Sequence, residues 1–126
     1  MDVPADRRRH PRLSVDPSYT ARFKAANRTF TGIPMTDLSA GGTCLRMTPA
    51  EAAGLVKGTT VVSLFLDHLG LPTVPLQGQV AWVMGRVPGR TEGFILIGVE
   101  FVNLHAKVEA ALAHYVRQRL GASAWA

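Results

Sequence analysis

The sequence predicts a mainly β domain, a small barrel or sandwich of six short strands with a basic arm in front and one α-helix behind. Three observations carry this. Apolar residues alternate with period two in several short runs, clusters of Gly, Pro and Asn separate the runs, and the period lengthens to three and four only in the last segment. With 126 residues, 47% of them apolar, the chain can build one core but not two comfortable ones.

The first run starts at Asp16, with Tyr19, Ala21, Phe23 and Ala25 on one side and Thr20, Arg22 and Lys24 on the other. This is the pattern of a half-buried strand. Ala26-Asn27 fits a tight turn, and a second strand over 29–39 contains Pro34, which has no amide to donate and so demands an edge or a bulge. Ser39-Ala40-Gly41-Gly42 punctuates the chain before a third strand at 43–47. Thr48 as N-cap, Pro49 at the first helical position and Gly54 as a stop describe a single helical turn. Further strands are expected at 59–67, 74–84 and 94–102. Behind Asn103, read as an N-cap, Leu104, Val108, Leu112, Tyr115, Val116 and Leu120 form the apolar stripe of a helix that Gly121 ends. The division is a flexible arm over 1–13, the barrel with its helix over 14–120 and a tail over 121–126.

Charge is uneven. Residues 1–12 carry four arginines against two aspartates, whereas the other 114 carry ten basic and seven acidic side chains. The net +5 therefore sits as a basic arm on a nearly balanced body, which suggests an anionic partner. The charged N-terminus lacks the apolar core of a secretory signal, no apolar run is long enough to cross a bilayer, and the lone Cys44 forms no internal disulfide. A cytoplasmic setting is the expectation, without membrane association. The histidines at 10, 68, 105 and 114 lack metal-ligand spacing, and Cys44 reads as an inert packed thiol.

Two motifs stand out: Arg8-Arg9-His10-Pro11-Arg12, an RxxxR, and Asp37-Leu38-Ser39-Ala40-Gly41-Gly42, a DxSxxG. Alone, the first is also what a solvated basic arm looks like, and the second is also an Asx-type turn capping a hairpin. In this order, some 25 residues apart and ahead of a small barrel with a C-terminal helix, the pair resembles the PilZ family of cyclic di-GMP receptors. Val80-Ala81-Trp82 and Ile97-Gly98-Val99-Glu100-Phe101 resemble strands of that family too.

The resemblance implies a six-stranded antiparallel barrel that binds cyclic di-GMP and catalyses nothing. It implies that Arg8 and Arg12 contact phosphate and guanine, for which a guanidinium fork is suited, and that Asp37 accepts from the guanine N1–H and N2–H2 edge. Ser39 would bond phosphate or base, and Gly41 and Gly42 would supply positive φ or a close approach to ligand. Arg7, directly before the motif, and Arg9 are candidates for a further guanidinium plane, and by resemblance an arginine at position 7 goes with up to two ligands per chain. Trp82 shares strand parity with Val80 and Met84, which favours core packing, with stacking near a guanine as the alternative. Neither a cofactor nor a metal is expected. The remaining partner would be an unidentified effector protein. Two other readings stay open, a PilZ-like interaction module that binds no nucleotide and a small basic barrel for nucleic acid. The scattered aromatics argue against the latter, so no DNA partner is expected.

Overall fold

The computed structural model of the chain describes residues 10–85 and 93–125. Its strands are β1 (Leu13–Ser14), β2 (Thr20–Ala25), β3 (Arg28–Leu38), β4 (Gly42–Met47), β5 (Thr60–Asp67), β6 (Leu76–Met84) and β7 (Ile95–Val102), with helices α1 (Pro49–Ala52) and α2 (Ala106–Trp125). Every pairing is antiparallel. The strands run β3-β2-β5-β6-β7-β4, and β4 pairs back to β3, closing a six-stranded barrel. Closure leaves no long free edge.

Local chemistry sets the corners. Ala26 and Asn27 both have positive φ, 51° and 61°, the signature of a two-residue hairpin turn whose twist matches its strands. Phe23 and Phe30 then stack across the hairpin with centroids 4.8 Å apart. Pro34 stands opposite Thr20 at the end of the β2–β3 ladder, and the irregularity it calls for lies nearby at Gly32, φ 64°, where the register slips. Thr48 caps α1 in a reciprocal capping box with Glu51.

Alternation buries Tyr19, Ala21, Phe23 and Ala25 as expected, together with Met35, Leu45, Val61, Leu64, Val80 and Ile97. From α2, Leu112, Tyr115 and Val116 complete the core, with Leu104, Val108 and Leu120 packed at its margin. The Tyr115 and Tyr19 hydroxyls lie 2.5 Å apart, and His68 stacks on the Tyr19 ring at 3.5 Å. The helix is thus pinned to the start of β2 by a buried polar contact as well as by its apolar stripe.

That contact has a pH signature. Burial first, and then the Tyr115 hydroxyl, push the Tyr19 pKa up to about 12 from an ordinary 10.0. An unfolded tyrosine ionises near its ordinary value, so this group stabilises the fold below pH 10 and its contribution is lost as pH rises through 12. Thermal melts between these limits should show a shallower decline for Tyr19→Phe than for the parent.

Three expectations need correction. Leu13, assigned to the arm, is buried and pairs with Leu38, while Ser14 pairs with Asp37, so a short seventh strand ties the arm's root to β3. Asn103 does not cap α2. It has a left-handed φ of 52°, and the cap is His105, whose Nδ1 accepts from the Lys107 amide at 3.1 Å. The helix backbone also runs through Gly121 to Trp125 rather than stopping at Gly121, whose missing Cβ faces open space. A single glycine costs only about 1 kcal/mol in a helix, and the alanines after it are the best helix formers.

Candidate ligand-binding site

The site is built on the outer face of the barrel, where one row of paired residues crosses four strands: Asp37 on β3, Cys44 on β4, Gly98 on β7 and Trp82 on β6. At one end the β3–β4 hairpin turns through Ser39 to Gly42. Arg12 reaches the same place because β1 follows it immediately and is laddered to Asp37. Arg12, Asp37, Ser39, Gly41, Gly42 and Trp82 line one cavity of about 280 Å3. Six of the nine expected site residues are thus brought together; Arg7, Arg8 and Arg9 lie outside the described residues.

Their roles in the free protein differ. Asp37 is half-buried and Arg12 exposed. Among the described residues neither side chain has a hydrogen-bond or ion-pair partner, since the two ion pairs found are His10–Glu109 and Arg22–Asp67. Ser39, by contrast, is committed to the turn. Its Oγ accepts from the Gly41 and Gly42 amides at 3.1 and 3.2 Å, and its own amide donates to the Gly42 carbonyl at 2.9 Å. The turn reading of this motif therefore holds for Ser39, whose hydroxyl also donates to the Gly42 carbonyl at 3.4 Å.

The two glycines are not explained by positive φ, which neither has. A Cβ on Gly42 would come within 2.3 Å of the Val99 carbonyl oxygen on β7, and one on Gly41 within 2.9 Å of the His10 ring. Gly42 is needed so that β4 can approach β7 closely.

Trp82 overturns the parity argument for a core residue. The β6–β7 register slips between Val80 and Trp82, so that Val80 faces Val99 while Trp82 faces Gly98. Ala81 is the extra residue of this bulge, which turns the indole outward. Val80 stays 1% exposed inside, and Trp82 becomes a half-buried wall of the cavity. Gly98 is its seat, because a Cβ there would fall 2.2 Å from the indole Cε2.

Thr43, Cys44, Ala81, Gly98, Val99 and Glu100 also line the cavity and were not anticipated as site residues. Gly98 left a signal, since a glycine inside a strand marks a bulge or a close approach. Thr43 Oγ1 donates to the Asp37 carbonyl at 2.7 Å and steadies the strand that carries the carboxylate. Burial pushes the Cys44 thiol pKa up; a Thr36 hydrogen bond and the Arg12 charge lower it, and the Asp37 charge raises it. A neutral, buried thiol is a poor nucleophile and a poor metal ligand. Among the described residues no cluster of three or more His, Cys, Asp or Glu is placed to hold a metal ion, and no helix is long and apolar enough to cross a membrane.

A closed barrel that sets a guanidinium and a carboxylate, neither partnered among the described residues, and an indole around one outward cleft is equipped to bind a polar, planar, anionic ligand. The family follows from comparison: the PilZ domain model matches residues 6–118, and the chain belongs to that family. It is 33% identical over 114 residues to the flagellar brake protein YcgR of Cupriavidus taiwanensis, an alignment covering 87% of this chain and 41% of that protein's length. The PilZ domain of YcgR from Escherichia coli, solved with c-di-GMP, superposes with a TM-score of 0.72 at 23% identity, over 94% of this chain and 97% of that one. The K. pneumonia MrkH–c-di-GMP complex gives 0.74 at 15% identity, over 93% and 54%. At these identities the two structures bear on the fold, which is the barrel described above.

Proposed function

We propose that this chain is a receptor for cyclic di-GMP, a reader of the dinucleotide with no catalytic step. The observation that carries the reading is the pairing of Arg12 and Asp37, opposite charges without partners among the described residues, in one cleft walled by Trp82. In this reading Arg12 grips a phosphate or a guanine edge, Asp37 accepts from guanine N1–H and N2–H2, and Trp82 offers its ring to a base. Ser39 and Gly42 shape the turn beneath. Family membership supports the assignment, as do relatives solved with c-di-GMP.

Calorimetry with cyclic di-GMP and cyclic di-AMP tests it. The guanine dinucleotide should bind in the micromolar range or tighter and the adenine one far more weakly. Ligand at 100 times its dissociation constant should add about 2.7 kcal/mol to thermal stability. Equal affinity for the two, or no binding at physiological salt, would sink the assignment.

Signalling in this reading is adaptor-like and takes place in the cytoplasm. Ligand draws Arg8 and its neighbours against the barrel beside Arg12, and the new surface is offered to an effector protein. Arg7 sets the stoichiometry by placing a guanidinium plane over an exposed guanine, so that two dinucleotides are held per chain. Titration at known active concentration should give two ligands for the parent and one for Arg7→Leu. A parent value of one would remove this role for Arg7 and leave the receptor reading standing.

A further inference from the structure

Two cavities meet at the Ser39–Gly42 turn, the one just described and a second of about 400 Å3 that reaches His10 and Glu109. Arg12, Ser39, Gly41 and Glu100 line both. Ser39 and Gly41 are tied into the turn by hydrogen bonds, which leaves Arg12 and Glu100 as the charged groups at the junction among the described residues.

Glu100 stands on β7 opposite Gly42 on one side and Gln79 on the other, and it is exposed. Among the described residues its carboxylate has no hydrogen-bond or ion-pair partner, whereas the other acid of the second cavity, Glu109, faces His10 at 3.9 Å. A free carboxylate has the wrong sign for a phosphodiester. Beside a doubly anionic ligand it weakens binding by repulsion unless donors on that ligand meet it. Cyclic di-GMP carries such donors, the N1–H and N2–H2 of each guanine, and adenine does not present that pair.

Resting on the receptor reading above, we infer that Glu100 reads the second guanine of the dinucleotide, across the junction from the guanine read by Asp37. The ligand has two identical bases joined by a charged ring. The junction offers two carboxylates without partners among the described residues, Asp37 in the first cavity and Glu100 between the two, with the Arg12 guanidinium beside them for the phosphates. One carboxylate for each guanine of the dinucleotide that Asp37 engages makes both of its bases count toward recognition, whatever a second bound ligand contacts.

The hybrid ligand 3′,3′-cyclic GMP-AMP, with the same ring and charge but a single guanine, tests this in calorimetry against the parent and Glu100→Gln. Glutamine keeps the length and one acceptor oxygen but loses the charge and the second acceptor. The parent should prefer cyclic di-GMP over the hybrid, and in Glu100→Gln that preference should shrink about tenfold, or about 1.4 kcal/mol. The melting temperature of the free protein should not change, since the side chain is exposed. A preference left intact in Glu100→Gln overturns the inference whatever the absolute affinities, and tighter binding of both ligands would show that the carboxylate only repels. Failure of the parent to bind either dinucleotide is a different result, which removes the receptor reading and this inference with it.

Discussion

Arg12→Ala is expected to weaken cyclic di-GMP binding by about 1.5–3 kcal/mol, the usual size of a charge-assisted hydrogen bond, and to leave the free protein as stable as before. Both halves follow from its surroundings. The side chain is exposed and, among the described residues, has no partner to lose in the unliganded state. Within the cleft it borders both cavities, so it lies near the ligand wherever the ligand settles. Arg12→Lys should recover only part of the loss, because an ammonium is a point charge without the planar fork. Paired calorimetry and thermal melts of the two variants check it. A large fall in unliganded stability would mean that the arginine holds the barrel instead.

Gly42→Ala is expected to destabilise the fold by about 3 kcal/mol or more, at the upper end of the cost of overpacking. A methyl group there would meet the Val99 carbonyl oxygen at 2.3 Å, and the obstacle is main chain, which cannot step aside as the tip of a side chain can. The β4–β7 ladder would have to part at Gly42↔Glu100, its rung nearest the turn. Chemical denaturation should place this variant well below the parent without any ligand present. An apparent loss of ligand binding in Gly42→Ala then reports a displaced strand, whereas the same loss in Arg12→Ala reports a missing contact. If Gly42→Ala were as stable as the parent, the close approach of β4 to β7 would not be the reason for glycine at this position.

What was legible in the sequence was whatever a short window can encode. The parity of Tyr19, Ala21, Phe23 and Ala25, the Ala26-Asn27 turn, the Thr48-Pro49 helix start and the stripe from Val108 to Leu120 are all local patterns, and each stands in the structure. Of the two motifs, Arg12, Asp37, Ser39, Gly41 and Gly42 line one cleft, and Arg8 lies outside the described residues. What could not be read depends on partners distant in sequence. The outward turn of Trp82 comes from a one-residue slip of β6 against β7, and Val80-Ala81-Trp82 carries no mark of it. A strand as short as Leu13–Ser14 has no room for alternation and exists because β3 is long enough to pair with it. Glu100 escaped notice because an exposed glutamate on a strand looks like any solvated residue until the turn of another hairpin is set beside it.

The pairing of Leu13 with Leu38 and of Ser14 with Asp37 has a further consequence for the residues before it. Buried Leu13 moors the chain beside Asp37, so Arg8, five positions upstream, stays within about 18 Å of that mooring even at full extension, at roughly 3.3–3.6 Å per residue. In the receptor reading, guanidinium groups attached so closely would meet a ligand in the cleft at an effective concentration on the order of millimolar, however dilute the protein. Their closure on a bound ligand would then be an intramolecular step, one that longer chain between Arg8 and Arg12 would dilute while leaving Arg12 at the cleft.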